Sequence, residues 1–486
     1  MKNTFCFSFI INCICSTFLF SQSTLPLEWI KQESSINGQV EGWGLDVDPD
    51  GNIFWAISNN KSRLDLDIAC YKFDQAGNAL WASPSIFGDL GTQQAYTCRY
   101  LDNQLYIGGR NCSGLVNTCD MLLLSLDPVT GIIQWDHTLN FMSNGYDEID
   151  GLEVYDGTIY CGGWGQAIQE GAFQSDIGLW ALDKQGNTLW INHFGQANTA
   201  EHQDGHFVVS EDKIFVTGLW GGTGLGNLYN GAAFLGSFSI EDGALLDSVL
   251  FGHPSTNLFD IENALGMTSD GDHLYVTGYT TPLAADDWQI FIAKFNLDLE
   301  MEWFVDWGGS GTESARAITV TDQHVYVGGL SESEEIISEE GRNAVLLKLD
   351  KNGNIQNYYH WGDTLNESFL DIAFHNNNIY LTGTAESNGS NIIRSAFLLK
   401  SSDLTSVSLN ESIEDILLYP NPGYSEINIQ IPQEVKKITI ITLDGRVIRK
   451  YPNPPKDFQL TDLLPGQYLL MVDYGVSRLA KKFTIH

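Results

Sequence analysis

The chain has 486 residues, with 61 Asp plus Glu against 25 Lys plus Arg, for a formal net charge of −36. That acidic excess excludes nucleic acid and anionic membrane as partners, since both carry the same sign. Forty-eight Gly, 13 Trp and 19 Tyr beside only 18% charged residues favour short strands and turns over helical bundles.

Residues 1–23 read as a signal peptide. Lys2 supplies the positive start, Phe5 to Phe20 form an apolar run without acids, and Ser21-Gln22-Ser23 offers small residues for cleavage. The run is short for a membrane span and no later stretch matches it. The mature chain is therefore expected to have no membrane span and to be exported first to the periplasm.

Between 24 and 407 one pattern recurs seven times: an acidic residue, an apolar alternation, a polar turn, then an aromatic-apolar-small-Gly strand. The aromatic anchors fall at Phe54, Tyr106, Tyr160, Phe215, Tyr275, Tyr326 and Tyr380, as in Tyr275-Val276-Thr277-Gly278. Each copy continues through a variable loop into a third strand, a turn such as Asp350-Lys351-Asn352-Gly353-Asn354, and a fourth strand. Gly and Asn supply the positive φ that such a turn needs. Trp81, Trp135, Trp190 and Trp303 share one position in the fourth strand, where Asp247 and Asn357 stand in two other repeats. Four short strands in each of seven units predict an all-β fold, a seven-bladed β-propeller. The last copy reaches Leu398-Leu399-Lys400 and lacks its Trp strand, whereas Leu27-Glu28-Trp29-Ile30 has that character. The N-terminal segment is expected to close the ring, with Leu404 to Ser408 as the competing fourth strand.

Cys112 and Cys119 lie in one loop and are disulfide candidates, which fits an oxidising compartment. Cys70, Cys98 and Cys161 lie on strand-like segments and read as core residues. The loops joining second to third strands are long and unlike one another, and in a meander they share a face with the blade-to-blade crossings. That face is the expected binding surface. On it, the residue opening each first strand is acidic at Glu41, Asp147, Glu201, Glu262, Glu313 and Glu367, with Gln93 in the second repeat. A carboxylate ring of this kind could hold Ca²⁺ or a cationic ligand, or it could bond backbone amides. Repetition favours the architectural reading, and no cofactor beyond Ca²⁺ is indicated. Trp164, Trp220, Tyr229 and Trp288, in or beside the loops, are candidates for stacking on sugars or for pinning the loops. Asp46-x-Asp48-x-Asp50-Gly51 begins like a calcium loop, but Ile57 stands where the closing carboxylate belongs, so it reads as a turn. No zinc-protease helix, nucleophile elbow or phosphate loop appears, and neither a catalytic residue nor a metal ligand is assigned.

The balance of charge changes after a polar linker at 408–415. From Ile416 onward there are nine Lys plus Arg and six Asp plus Glu. Alternating segments such as Ile427-Asn428-Ile429-Gln430-Ile431 predict a small antiparallel β-sandwich over 416–486. Leu418-Tyr419-Pro420-Asn421-Pro422 opens it, Asp444-Gly445 marks its hairpin, Gly466-Gln467-Tyr468 leads its penultimate strand, and Lys481-Lys482-Phe483-Thr484-Ile485 closes it. These ordered motifs resemble the type A C-terminal sorting domain of the type IX secretion system, the Por secretion tail of Bacteroidetes-like bacteria. The resemblance implies a secretion translocon as partner, and release from the cell or attachment to the outer-membrane surface.

The sequence therefore predicts a secreted or surface β-propeller that serves as a non-catalytic scaffold for a glycan or protein ligand. The alternative is a propeller enzyme, either a glycan hydrolase or lyase or a quinoprotein-like oxidoreductase. Carboxylates converging with His or Arg at the channel mouth would favour the enzyme. Carboxylates bonded to backbone would favour the scaffold.

Overall fold

The computed structural model describes residues 22–485 except for loop segments, the longest being 223–230, 253–261, 281–287, 405–416, 420–425 and 431–436. The expected signal peptide up to Ser21, the linker, Tyr229, Pro420-Asn421-Pro422 and Asp444-Gly445 lie outside the described residues. The chain divides into two compact units, one over Ser23–Val407 and one containing Ser408–His486. The described residues are almost all strand and turn, with one short helix at Glu334–Ile337.

The first unit is a β-propeller. Strand pairing among the described residues groups it into seven antiparallel units of four strands. The first strands, which line the channel, are Val40–Val47, Gly91–Leu101, Tyr146–Tyr155, Ala200–Gln203 with Val208–Ser210, Glu262–Ser269, Glu313–Val320 and Glu367–His375. The first and last blades meet: the Leu45 amide donates to Asp371 (2.8 Å), and the Trp55 indole N–H to the Thr382 hydroxyl (2.7 Å). Leu27–Glu33 pairs antiparallel with Ile393–Ser402 and is the fourth strand of the seventh blade, while Leu404 is buried in a core cluster with Leu25, Phe397 and Leu399 without forming a strand.

The repeat motif has a steric cause. Each aromatic anchor is buried, from Phe54 and Tyr380 at 0% exposed to Tyr160 at 5%. The Gly three residues later lies beneath a carbonyl of the first strand. A Cβ on Gly109, Gly163 or Gly383 would come within 1.9 Å of the oxygens of Gln94, Glu148 and Ser368. That close approach follows from a β-bulge that recurs in the first strands, for instance between Ala95 and Thr97 and between Ala315 and Ala317.

Neighbouring blades are locked by the tryptophans. Trp29, Trp81, Trp190 and Trp303 donate their indole N–H to carbonyls of Gln75, Val129, Ile240 and Lys351 at 3.0–3.1 Å. Each acceptor lies in the turn between strands three and four of the following blade. There Gly77, Gly131, Gly243 and Gly353 have positive φ and pack on the indole ring, where a Cβ would lie 2.6–3.2 Å from it. Where Asp247 replaces the Trp, the following turn carries Leu299 at φ 62° instead of Gly. Trp81 differs from the sequence expectation in one respect: the fourth strand of blade one is only Ser85–Phe87, and Trp81 precedes it. Ala79 and Leu80 begin the pairing with Phe73 and Lys72, and it resumes at Ser85 after Pro84, which has no N–H to donate.

The second unit is a small β-sandwich. One sheet contains Leu417–Tyr419, Glu426–Gln430 and Asp457–Thr461, and the other Lys437–Thr442, Val447–Pro452, Gly466–Asp473 and Arg478–Ile485. Ile427, Ile429 and Leu460 from the first pack with Ile438, Ile440, Leu470 and Ile485 from the second. Tyr468 is buried in that core and donates its hydroxyl to the Leu464 carbonyl at 2.7 Å.

Candidate functional site

The acidic register lies at the loop-face ends of the first strands, and its members are buried: Asp147, Glu201 and Glu313 at 0%, Glu367 at 3% and Glu262 at 7%. Three of them clip the crossing that leads into their own blade. Asp147 accepts from the Phe141 amide (2.7 Å), Glu201 from Gln196 (3.1 Å) and Glu313 from Gly309 (2.8 Å). Glu313 also accepts from Ser331 and Ser333, and Glu262 from Thr280. Glu41 departs from this register. Glu313 pairs with Ser331 and Glu367 with Ala385, each five residues past its anchor, but Glu41 pairs with Ser58, four past Phe54. Val40 takes the ring position, because the Asp48–Asn52 turn is one residue longer than its counterparts. A one-residue slip moves a side chain to the other face, and Glu41 instead accepts from Arg394 and the Trp43 indole. Asp48, from the sequence that resembles a calcium loop, accepts from the amides of Asp50 and Asn52 as a turn cap. Among the described residues no group of three His, Cys, Asp or Glu side chains is arranged to hold a metal ion.

The loop-face aromatics separate into two kinds. Trp220, near the end of the strand Lys213–Gly222, is stacked against Phe194 (4.9 Å) and Phe234 (5.4 Å), which pins that strand end to the core. Trp288 is 36% exposed and stacks on Tyr279 at 4.2 Å. Trp164 is half-buried, lies flat on His202 at 4.3 Å, and donates to Glu148 at 2.8 Å. Cys112 and Cys119 face each other across strands two and three of blade two and form a disulfide.

The structure also brings together residues that sequence reasoning missed. The bulged residues Trp43, Tyr96, Asp150 and Arg316, from blades one, two, three and six, meet in the channel. Arg316 bonds Asp150 at 3.0 Å and lies 5.1 Å over the Trp43 ring, which meets Tyr96 edge-on at 5.4 Å. Arg110 bonds Glu148 (3.0 Å) and Gln94 beside this group, extending it to Trp164. Burial and the nearby Glu148 carboxylate hold the Tyr96 phenol well above its ordinary pKa.

One level further along the channel, His206 of blade four bonds Asp371 of blade seven (3.2 Å), and its other ring nitrogen lies 3.4 Å from the Thr97 hydroxyl. Beyond it, Arg99 bonds Glu153 at 3.2 Å. Asp46 accepts from the Tyr100 amide at 2.7 Å, and burial raises its carboxyl pKa despite the opposing charge of Arg99. Carboxylates thus do converge with Arg and His, and each is tied to a backbone amide or a cation. The register that marks the bulged group is the third residue after the ring position, as Asp150 follows Asp147 and Arg316 follows Glu313, whereas His206, Asp371 and Arg99 lie deeper along their strands.

Residues 417–486 match the secretion system C-terminal sorting domain family. This domain makes the protein a type IX cargo, secreted or held at the cell surface, with the secretion system as partner. No described helix is long and apolar enough to cross a membrane. Among solved structures, the chain is similar to a virginiamycin B lyase from Staphylococcus aureus, with 13% identity and a TM-score of 0.43, covering 76% of this chain and 98% of that one. It is similar to PorZ, a surface component of the type IX system of Porphyromonas gingivalis, at 12% identity and a TM-score of 0.39, covering 91% and 59% respectively. The β-propeller domain of the trilobed protease of Pyrococcus furiosus matches at 11% identity and a TM-score of 0.41, covering 79% and 97%. No curated protein matches the chain in sequence. At these identities no activity or residue role carries over.

Proposed function

We propose that this exported propeller is a non-catalytic scaffold that binds an extended, uncharged glycan across the loop-face mouth of its channel, after periplasmic entry through its N-terminal signal. The observation that carries this reading is the pairing of charge at the mouth. Arg316 pairs with Asp150 and Arg110 with Glu148, and Arg394 lies between Glu41 and Glu386, while the ring of Trp288 is exposed and those of Trp43 and Trp164 are half-buried. Paired charges offer both donors and acceptors to hydroxyl groups without attracting an ion, and flat rings stack on the apolar faces of sugars.

A glycan array probed with the intact chain tests this. Trp164→Ala and Trp288→Ala are expected to weaken binding at least tenfold, and a chelator to leave it unchanged. A chain that binds no glycan, or variants that bind as well as the parent, would refute the reading. The Asp150 and Glu148 carboxylates, held beside Arg316 and Arg110 at the mouth, favour a second reading, a glycan-active enzyme. New reducing or unsaturated ends from a bound glycan, abolished by Asp150→Asn, would establish it.

A further inference from the structure

We propose a second binding site, for a small uncharged polyol of single-sugar size, at the opposite end of the channel from the loop-face mouth. A cavity of about 340 Å³ lies there, among the turn-side ends of the first strands. Its walls include Arg99, Glu153, Val209, Met267, Thr268 and Thr319. The volume is near the lower end of the ~300–1,000 Å³ usual for small-molecule sites, so one ring fits and a chain of rings does not. His206, bonded across the channel to Asp371, forms part of its wall, and the Arg316–Asp150 bond crosses the channel beyond. A ligand at the loop-face mouth therefore cannot reach this cavity, and the two sites are separate.

The chemistry of the walls selects the ligand. Arg99 has 29% of its side chain exposed and donates to Glu153, and its guanidinium carries further N–H groups. Glu153 accepts one bond at each oxygen, from Arg99 and from the Val154 amide, and each oxygen retains a lone pair. The hydroxyls of Thr268 and Thr319 add groups that both donate and accept. An anion would meet Arg99 but also the carboxylates of Asp46, Glu153 and Asp371 that surround it. A cation would meet the guanidinium. A neutral molecule bearing several hydroxyls satisfies the donor and the acceptors together, while Val209 and Met267 cover its apolar face.

Ligand-observed NMR on the intact chain, with glucose, galactose, mannose and N-acetylglucosamine as neutral probes and glucuronate and arginine as charged ones, tests the site. At least one neutral sugar should bind saturably. Thr268→Phe, which fills the cavity, should abolish that binding, and Glu153→Gln should weaken it at least tenfold. Thr319→Val, which keeps the shape and so preserves folding, should weaken it severalfold. Trp164→Ala should leave it unchanged, which separates this site from the loop-face one. The proposal is overturned if no neutral sugar saturates, if glucuronate or arginine binds more tightly, or if both threonine variants bind like the parent.

Discussion

Replacing Trp29 by Ala should loosen the propeller at its seam. Trp29 belongs to the N-terminal strand, is half-buried, donates to the Gln75 carbonyl at 3.1 Å, and lies 6.2 Å from Tyr380. Full burial would make the loss about 3–5 kcal/mol, and the lost hydrogen bond accounts for roughly 1 kcal/mol of that. Half burial reduces the expected cost to about 2–3 kcal/mol. Spread over the Ser23–Val407 unit at ~2 cal/mol/K of unfolding entropy per residue, this lowers Tm by about 3–4 °C. Calorimetry of Trp29→Ala against Ile30→Ala, whose side chain is exposed, measures it. Gly77→Ala adds a thermodynamic cycle. Gly77 has φ 82°, and a Cβ there would lie 3.2 Å from the Trp29 ring. Removing the ring relieves that clash, so the double variant should lose less than the two single losses added together. An unchanged Tm in Trp29→Ala, or strict additivity of the pair, would refute the lock.

Two further outcomes follow from buried and bridging groups. Asp270 joins blade five to Lys351 of blade six at 2.8 Å. Burial works against its ionisation, but bonds from Lys351, Tyr275 and the His273 amide outweigh it and hold the carboxyl well below its usual range. The resulting stability is present above the unfolded pKa of about 3.9 and is lost as pH falls through the lower folded value. Asp270→Asn should therefore cost about 1 kcal/mol at pH 7 after allowance for solvent screening. That deficit should shrink in acid, and a deficit that stays constant in melts from pH 7 to pH 2 would contradict the assignment. Cys70, Cys98 and Cys161 are buried and free; a hydrogen bond with Cys70 and then burial raise the Cys98 thiol, and burial raises that of Cys161. A chain begun at Ser23 should show no reactive thiol when native and three in denaturant, and a thiol titrating in the native state would count against this packing.

The parts legible in the sequence were those with local causes. The Asp-x-x-Gly-Asn turns, the aromatic anchors and the fourth-strand tryptophans each repeat a constraint set within one blade or between neighbours, so self-comparison exposes them. The tail motifs at Tyr468 and Lys481-Lys482 lie on strands of the small sandwich. Glu41 was misplaced because a turn one residue longer shifts pairing without changing the motif's appearance. The channel residues were illegible for another reason. Arg316 and Asp150 are 166 positions apart, and His206 and Asp371 are 165 apart. The bulge position varies from blade to blade (Trp43, Tyr96, Asp150, Leu265, Arg316 and Leu370), so self-comparison finds no repeated residue type there and the partners meet only when the ring closes.

The most direct test of the account is hydrogen exchange of the intact chain with and without the glycan selected on the array. Protection is expected at the loop-face ends of blades one to three and five, around Trp43, Glu148, Trp164 and Trp288. Protection confined to the turn-side strand ends around Arg99 and Thr268, or none at all, would contradict a loop-face binding function.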